Sequence, residues 1–251
     1  LVNVSRQCAQ KELSVYADKI EKTGLPAPRS LLQRFAVMGF LGVNLPAHYG
    51  GGGMSHLDAV LVLEELAKVS VAAAFPVFES CFGPALAIAH YGPEQMRTSV
   101  LPNVCSGDMI VAVSMSEPQA GTALTDLKTE LVPNGKSFVL RGTKRWCSGA
   151  GHADAYVVYC RMSDAPGAKG IGAVLVHDGV EGFTFGAPEE HMGFRGIPSA
   201  DMYFDDVNVS ADQIIVPAGG FKQLMEAFDL ERCGNCLLYT SDAADDSWRV
   251  D

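Results

Sequence analysis

The chain has 251 residues, 48% of them hydrophobic and 19% charged, enough for a packed core in one large domain or two ordinary ones and unlike a disordered composition. Its formal charge of −10, from 19 basic and 29 acidic residues without a basic block, argues against a nucleic-acid binder but leaves room for a small polyanion held by a few well-placed cations. No apolar run reads as reaching the ~20 residues that span a bilayer, and no charged-then-apolar leader is visible, so neither membrane insertion nor secretion is expected. The chain opens on Leu1 rather than Met, and a missing upstream piece is expected.

The first 110 or so residues carry a helical period. Leu31, Phe35 and Met38 recur at i, i+4, i+7 before Gly39. A loop follows, Leu45 to Tyr49 and then four glycines, Gly50 to Gly53, where a helix interior is disfavoured. Ala59, Val62, Leu63, Leu66 and Ala67 mark one apolar helix face, and Ala72 to Tyr91 reads as a further helical stretch ended by Gly92-Pro93. Glu79 lies in that apolar stretch.

Near Met109 the pattern changes to short β-rich runs. Ile110 to Ser114, Tyr156 to Tyr159, Ala173 to Val176 and Met202 to Phe204 are strand candidates. Val132 to Lys136, with Asn134-Gly135 at its centre, is a turn between two more. Short strands separated by Gly and Pro turns imply a barrel or sandwich. The helical period returns from Gly220 to about Cys236, burying Phe221, Leu224, Met225 and Phe228.

The fold class expected is therefore α+β. An all-α domain spans 1–109, a β-domain 110–217 and the first helix of another helical unit 218–236. Residues 237–251 carry Asp242, Asp245, Asp246 and Asp251 against Arg249 and no apolar face, and read as a non-matching or disordered tail.

Seven scattered cysteines indicate reduced thiols. Cys233-x-x-Cys236 lacks a second pair and the six histidines are dispersed, so no metal site is expected.

Two clusters carry the chemistry. Val113-Ser114-Met115-Ser116-Glu117-Pro118-Gln119-Ala120-Gly121-Thr122 follows a strand and offers backbone N–H groups and small hydroxyls, as a phosphate or flavin site needs. Taken alone it is also an ordinary loop. Lys144-Arg145-Trp146-Cys147-Ser148-Gly149-Ala150-Gly151 offers an indole to cover a flat ring and a hydroxyl for a ring nitrogen; taken alone it is also a core Trp before a turn.

Together these clusters resemble the flavin-binding segments of the acyl-CoA dehydrogenase family. Phe40-Leu41-Gly42-Val43, Pro46 to Gly51, Leu63 to Ala67, Phe194 to Ser199, Phe204 to Val207, Gly220-Phe221-Lys222 and Leu230-Glu231-Arg232 extend the resemblance, in the family's order, from about Leu13 to Gly234.

The resemblance implies FAD-dependent α,β-dehydrogenation of an acyl-CoA in fatty-acid or amino-acid catabolism. It assigns Met115, Ser116, Gly121, Thr122, Trp146 and Ser148 to FAD, and Thr122, Phe228 and Arg232 to the acyl-CoA. Gln119 and Ala123 depart from the family's Gly and Asp, and Ser replaces the commoner Thr at 116 and 148.

Glu231 stands where a minority of the family, including the isovaleryl-type enzymes, keep the base that removes the α-proton. Its spacing from Leu224 and Phe228 independently puts it on the apolar helix face, where a carboxyl's pKa rises. A salt bridge to Arg232 is the competing reading. Glu79 would lie near the closed end of the family's acyl pocket, as a specificity element, a helix cap or an exposed carboxylate.

The implied partners are an electron-transfer flavoprotein and further copies in a homotetramer or homodimer. The implied compartment is a bacterial cytoplasm, in preference to a mitochondrial matrix. An oxidase or monooxygenase of the same fold, or a non-catalytic acyl-CoA-binding fragment, is the alternative. This stretch alone is expected to be inactive.

Overall fold

A computed structural model describes residues 1–246, with side chains to Ser241. The helical half opens with α1 (Val2–Cys8) and α2 (Ser14–Thr23), joined by a π-helical segment, Ala9–Leu13. Next come α3 (Arg29–Val37) and α4 (His56–Ala67). A capping box opens α4: Ser55 accepts from the Asp58 N–H while the Asp58 carboxylate accepts from the Ser55 N–H.

The expected single helix over 72–91 is two, α5 (Val71–Cys81) and α6 (Pro84–Tyr91). The break falls at Gly83, where a Cβ would sit 2.6 Å from Glu79 Oε2, and Pro84 starts the next helix at its first position. Val71–Tyr91 also corrects the reading that no apolar run is long enough to span a bilayer: by length and composition it is, with a mean hydropathy of 1.6. That segment forms the centre of the helical core, with 83% of its most apolar window buried. α7 (Glu94–Ser106) completes this half.

The β-half is one mixed eight-stranded sheet. Its strands are β1 (Val111–Ser114), β2 (Glu130–Asn134), β3 (Ser137–Ser148), β4 (Ala155–Arg161), β5 (Ile171–His177), β6 (Phe183–Phe185), β7 (Ser199–Val209) and β8 (Ile214–Val216). They lie in the order β6-β7-β3-β2-β4-β5-β8, with β1 parallel to β4. The Asn134-Gly135 signal marks the tight β2–β3 hairpin, with Gly135 at φ 63°.

β4 shows why the sheet is central. Ala155, Val157 and Tyr159 face a core shared with α6, α7 and the helix that follows the sheet, whereas Tyr156, Val158 and Cys160 face the opposite core with Phe183, Met202 and Phe204.

That last helix, α8, runs Phe221–Asp246. It continues through the expected boundary at 236; Leu238 is buried in the helical core and Ser241 is also buried. Residues 247–251 of the expected tail lie outside the described residues. The α8 backbone approaches α5 closely at Gly234, where a Cβ would come within 2.9 Å of Phe78 and Phe82. This contact brings the carboxyl-bearing turn of α8 against α5.

Candidate active site

The end of β1, the end of β3, α5 and α8 enclose a cleft of about 180 Å³. Met115, Ser116, Trp146 and Ser148 line one side, and Glu79 and Glu231 contribute carboxyls beside Phe75 and Phe78. The cleft thus gathers five of the nine residues assigned from the sequence. Gly121 and Thr122 are exposed and do not line it, and neither do Phe228 and Arg232. The Arg232 guanidinium lies 6.0 Å from the Phe228 ring centre instead, a cation–π contact, and no ion pair joins it to Glu231 among the described residues.

A buried ion pair supports the β1 side. Lys144 is fully buried, and its Nζ donates to Met115 O at 2.8 Å and to Glu117 Oε1 at 2.9 Å. The Glu117 carboxylate also accepts from the backbone N–H groups of Lys128 at 2.7 Å and Thr129 at 2.9 Å. Burial opposes the charge on Glu117, but Lys144 and these donors outweigh it and hold the carboxyl below its usual range. The Arg145 N–H adds a bond to Ser116 O at 3.0 Å. The loop that presents Met115 and Ser116 is therefore tied to β3 by backbone and side chain alike.

β3 turns Trp146 outward. The β3–β7 register shifts between Lys144 and Cys147, and Trp146 takes φ 58°, a left-handed conformation costly for a bulky residue. Arg145 anchors the bulge by a two-pronged bond to Asp201, at 2.9 and 2.6 Å. The indole is left 66% exposed. An indole held in solvent at a strained backbone angle, beside two hydroxyls, fits a flat heteroaromatic ring lying on that face.

Cys147 points the other way, its Sγ donating to Val113 O at 3.2 Å. Burial pushes its thiol up to about 12, so it is no nucleophile. All seven cysteines are free, and no group of three or more metal-ligating side chains occurs among the described residues.

The opposite wall lacks such partners. Glu231 is half-buried, and burial pushes its carboxyl up to about 7 against a weaker opposing pull from Arg232. Glu79 is 6% exposed, which excludes the solvent-exposed reading, and its Oε2 has no hydrogen-bond partner. Burial first, and Glu231 second, raise its pKa well above the carboxylate range. The pattern signals Glu79 only weakly, as one acid inside an apolar helix. Phe194, at φ 58° and edge-on to Phe75 with ring centres 5.8 Å apart, sits in a segment whose period carries no helix or strand signal.

The family descriptions matching the chain are the acyl-CoA dehydrogenase N-terminal domain over residues 1–108 and the acyl-CoA dehydrogenase middle domain over 112–207. The chain belongs to the acyl-CoA dehydrogenase family. Among curated relatives of this family member, an acryloyl-CoA reductase (NADH) of Anaerotignum propionicum is 32% identical over 237 residues, covering 93% of this chain and 60% of that one. A 3-sulfinopropanoyl-CoA desulfinase of Advenella mimigardefordensis is 34% identical over 239 residues, with coverages of 92% and 59%. Butyryl-CoA dehydrogenase of Megasphaera elsdenii superposes with a TM-score of 0.91 at 26% identity, covering 97% of this chain and 65% of that one. The chain thus spans about three fifths of the length of these curated relatives.

Proposed function

We propose that the chain supplies the first two domains and the base-bearing helix of an FAD-dependent acyl-CoA dehydrogenase. The observation that carries this is the single cleft in which a carboxyl raised to about 7, Glu231, lies with the exposed indole of Trp146 and the hydroxyls of Ser116 and Ser148. FAD, when bound, accepts the hydride from the substrate β-carbon. Glu231 takes the α-proton onto its carboxylate, and the Cα–Cβ bond becomes double. A carboxyl tuned near 7 is a usable base at neutral pH because it is substantially ionised and retains affinity for the proton.

Met115, Ser116, Trp146 and Ser148 hold the flavin ring. Gly121 and Thr122 lie further along the cofactor, with Thr122 and the α8 residues Phe228 and Arg232 on the acyl-CoA. The family reading supports an electron-transfer flavoprotein as electron acceptor, a homotetramer or homodimer, and a place in the cytoplasm.

The test is spectroscopic. Joined to a complete C-terminal helical domain, the chain should take up FAD, and an acyl-CoA should bleach it without oxygen, with slow return of colour in air. Retained FAD that no acyl-CoA thioester bleaches would contradict the proposal.

A further inference from the structure

Glu79 is the buried group that this reaction leaves unused. Three spaces meet at it. One is the active-site cleft. The second, of about 30 Å³, lies under Phe75, Ile110, Ile197 and Pro198, and the third, of about 10 Å³, under Leu32 and Val104. The second and third are too small for an acyl chain; the larger has room for one or two waters. The cleft therefore ends at Glu79 and does not open into an apolar tunnel. Its end carries a carboxyl where an alkyl-selective pocket carries a methyl-lined wall.

Among the described residues nothing neutralises that carboxyl. Its Oε2 is buried without a partner, and no cation pairs with it among the described residues. The cations around it are engaged elsewhere: Arg145 with Asp201, Lys144 with Glu117, and Arg232, whose charge acts on Glu231, against the Phe228 ring. Burial holds His152, across the second space, toward its neutral form. The other acid of the cleft, Glu231, opposes a second negative charge beside it. A carboxyl in this setting is neutral, and a neutral carboxyl presents an O–H donor.

Resting on the dehydrogenase reading, we infer that Glu79 is a specificity-determining residue, which as a neutral acid donates a hydrogen bond to an oxygen at the far end of a short acyl chain. The substrate class is a short oxygenated acyl thioester, with hydroxyl, ether or keto oxygen beyond the β-carbon. An alkyl chain of the same size leaves the donor unpaired at the buried end of the cleft, and burying an unsatisfied polar group is what makes such sites discriminate.

The test compares two thioesters with the same number of heavy atoms along the acyl chain, 4-hydroxybutyryl-CoA and pentanoyl-CoA, on the FAD-loaded enzyme, with Glu79→Gln and Glu79→Leu as variants. The wild type should favour the hydroxy thioester by roughly tenfold in kcat/KM. Glu79→Gln, which keeps an N–H donor, should retain most of that preference, and Glu79→Leu should erase or invert it. A preference unchanged in Glu79→Leu overturns the inference. So does a missing preference in a wild type that reduces its flavin with both thioesters, an outcome that leaves the dehydrogenase reading intact. FAD-loaded enzyme inert to both overturns this inference, and the dehydrogenase reading falls with it only if no other acyl-CoA thioester bleaches the flavin. Infrared difference spectra of wild type against Glu79→Gln test the protonation state without turnover. A carboxylic-acid C=O band at pH 7 that the variant lacks is expected; a carboxylate band in its place contradicts the inference.

Discussion

The two walls of the cleft are built on opposite principles. On the β1–β3 side every charge is matched: Lys144 with Glu117, Arg145 with Asp201, and the loop carbonyls of Met115 and Ser116 with donors from β3. On the α5–α8 side two carboxyls stand without cations, and one has a buried oxygen with no partner. The matched wall holds geometry, because satisfied buried networks are stiff. The unmatched wall holds protonation states away from their solution values, because desolvation there outweighs the pull of Arg232 on Glu231 and meets no cation at Glu79 among the described residues. A site with the proposed task of placing a cofactor and moving a proton needs both, and here one wall is built on the sheet and the other on helices.

Substitutions on the two walls should therefore fail differently. The largest effect belongs to Glu231→Gln, which should keep acyl-CoA binding and lower flavin reduction by about 10²–10⁴-fold, read by anaerobic stopped-flow. Next is Lys144→Met. It strands the buried Glu117 carboxylate and should destabilise the fold by roughly 3–5 kcal/mol in denaturant unfolding, with loss of FAD as a consequence.

Gly234→Ala comes third. Its methyl would meet Phe78 and Phe82 at 2.9 Å and force α8 off α5, for about 1–3 kcal/mol of stability and a slower proton transfer at normal FAD occupancy. The smallest stability effect belongs to Trp146→Ala, within about 0.5 kcal/mol because the indole is 66% exposed. The same change should weaken FAD retention measurably. A Trp146→Ala protein that unfolds readily, or a Lys144→Met protein that does not, would dissolve the contrast between the walls.

The unmatched wall also makes a stability prediction. Glu231 binds its proton more tightly folded than unfolded, so the folded state is favoured below the unfolded carboxyl pKa, and that advantage is lost as pH rises through about 7. At pH 8, Glu231→Gln should be the more stable protein, by roughly 1–3 kcal/mol. At pH 4 the two should be nearly equal. A wild type more stable than the variant at pH 8 would mean that Glu231 has a cationic partner.

Much of this was legible in the residues. The period of Ala59, Val62, Leu63, Leu66 and Ala67 is the buried face of α4, and Asn134-Gly135 is a hairpin turn, because local patterns of this kind are written by burial and backbone geometry alone. Glu231 could be placed on an apolar face for the same reason. The Lys144–Glu117 pair could not be seen: the two lie 27 positions apart, and only the sheet brings them together. The break at Gly83-Pro84 carries the same stop-and-restart signal as Gly92-Pro93, but the apolar residues on both sides of it conceal the break. The continuation of α8 past Cys236 rests on Leu238 reaching the helical core, a contact the acidic residues after it conceal.

The most direct test of the central claim is the pH profile of anaerobic flavin reduction by an acyl-CoA, in wild type and in Glu231→Gln. The base works as a carboxylate, so the wild-type rate should rise with pH through about 7 and then level, while the variant shows a low rate without that rise. The same rise near 7 in Glu231→Gln would contradict the claim and place the proton acceptor on another residue.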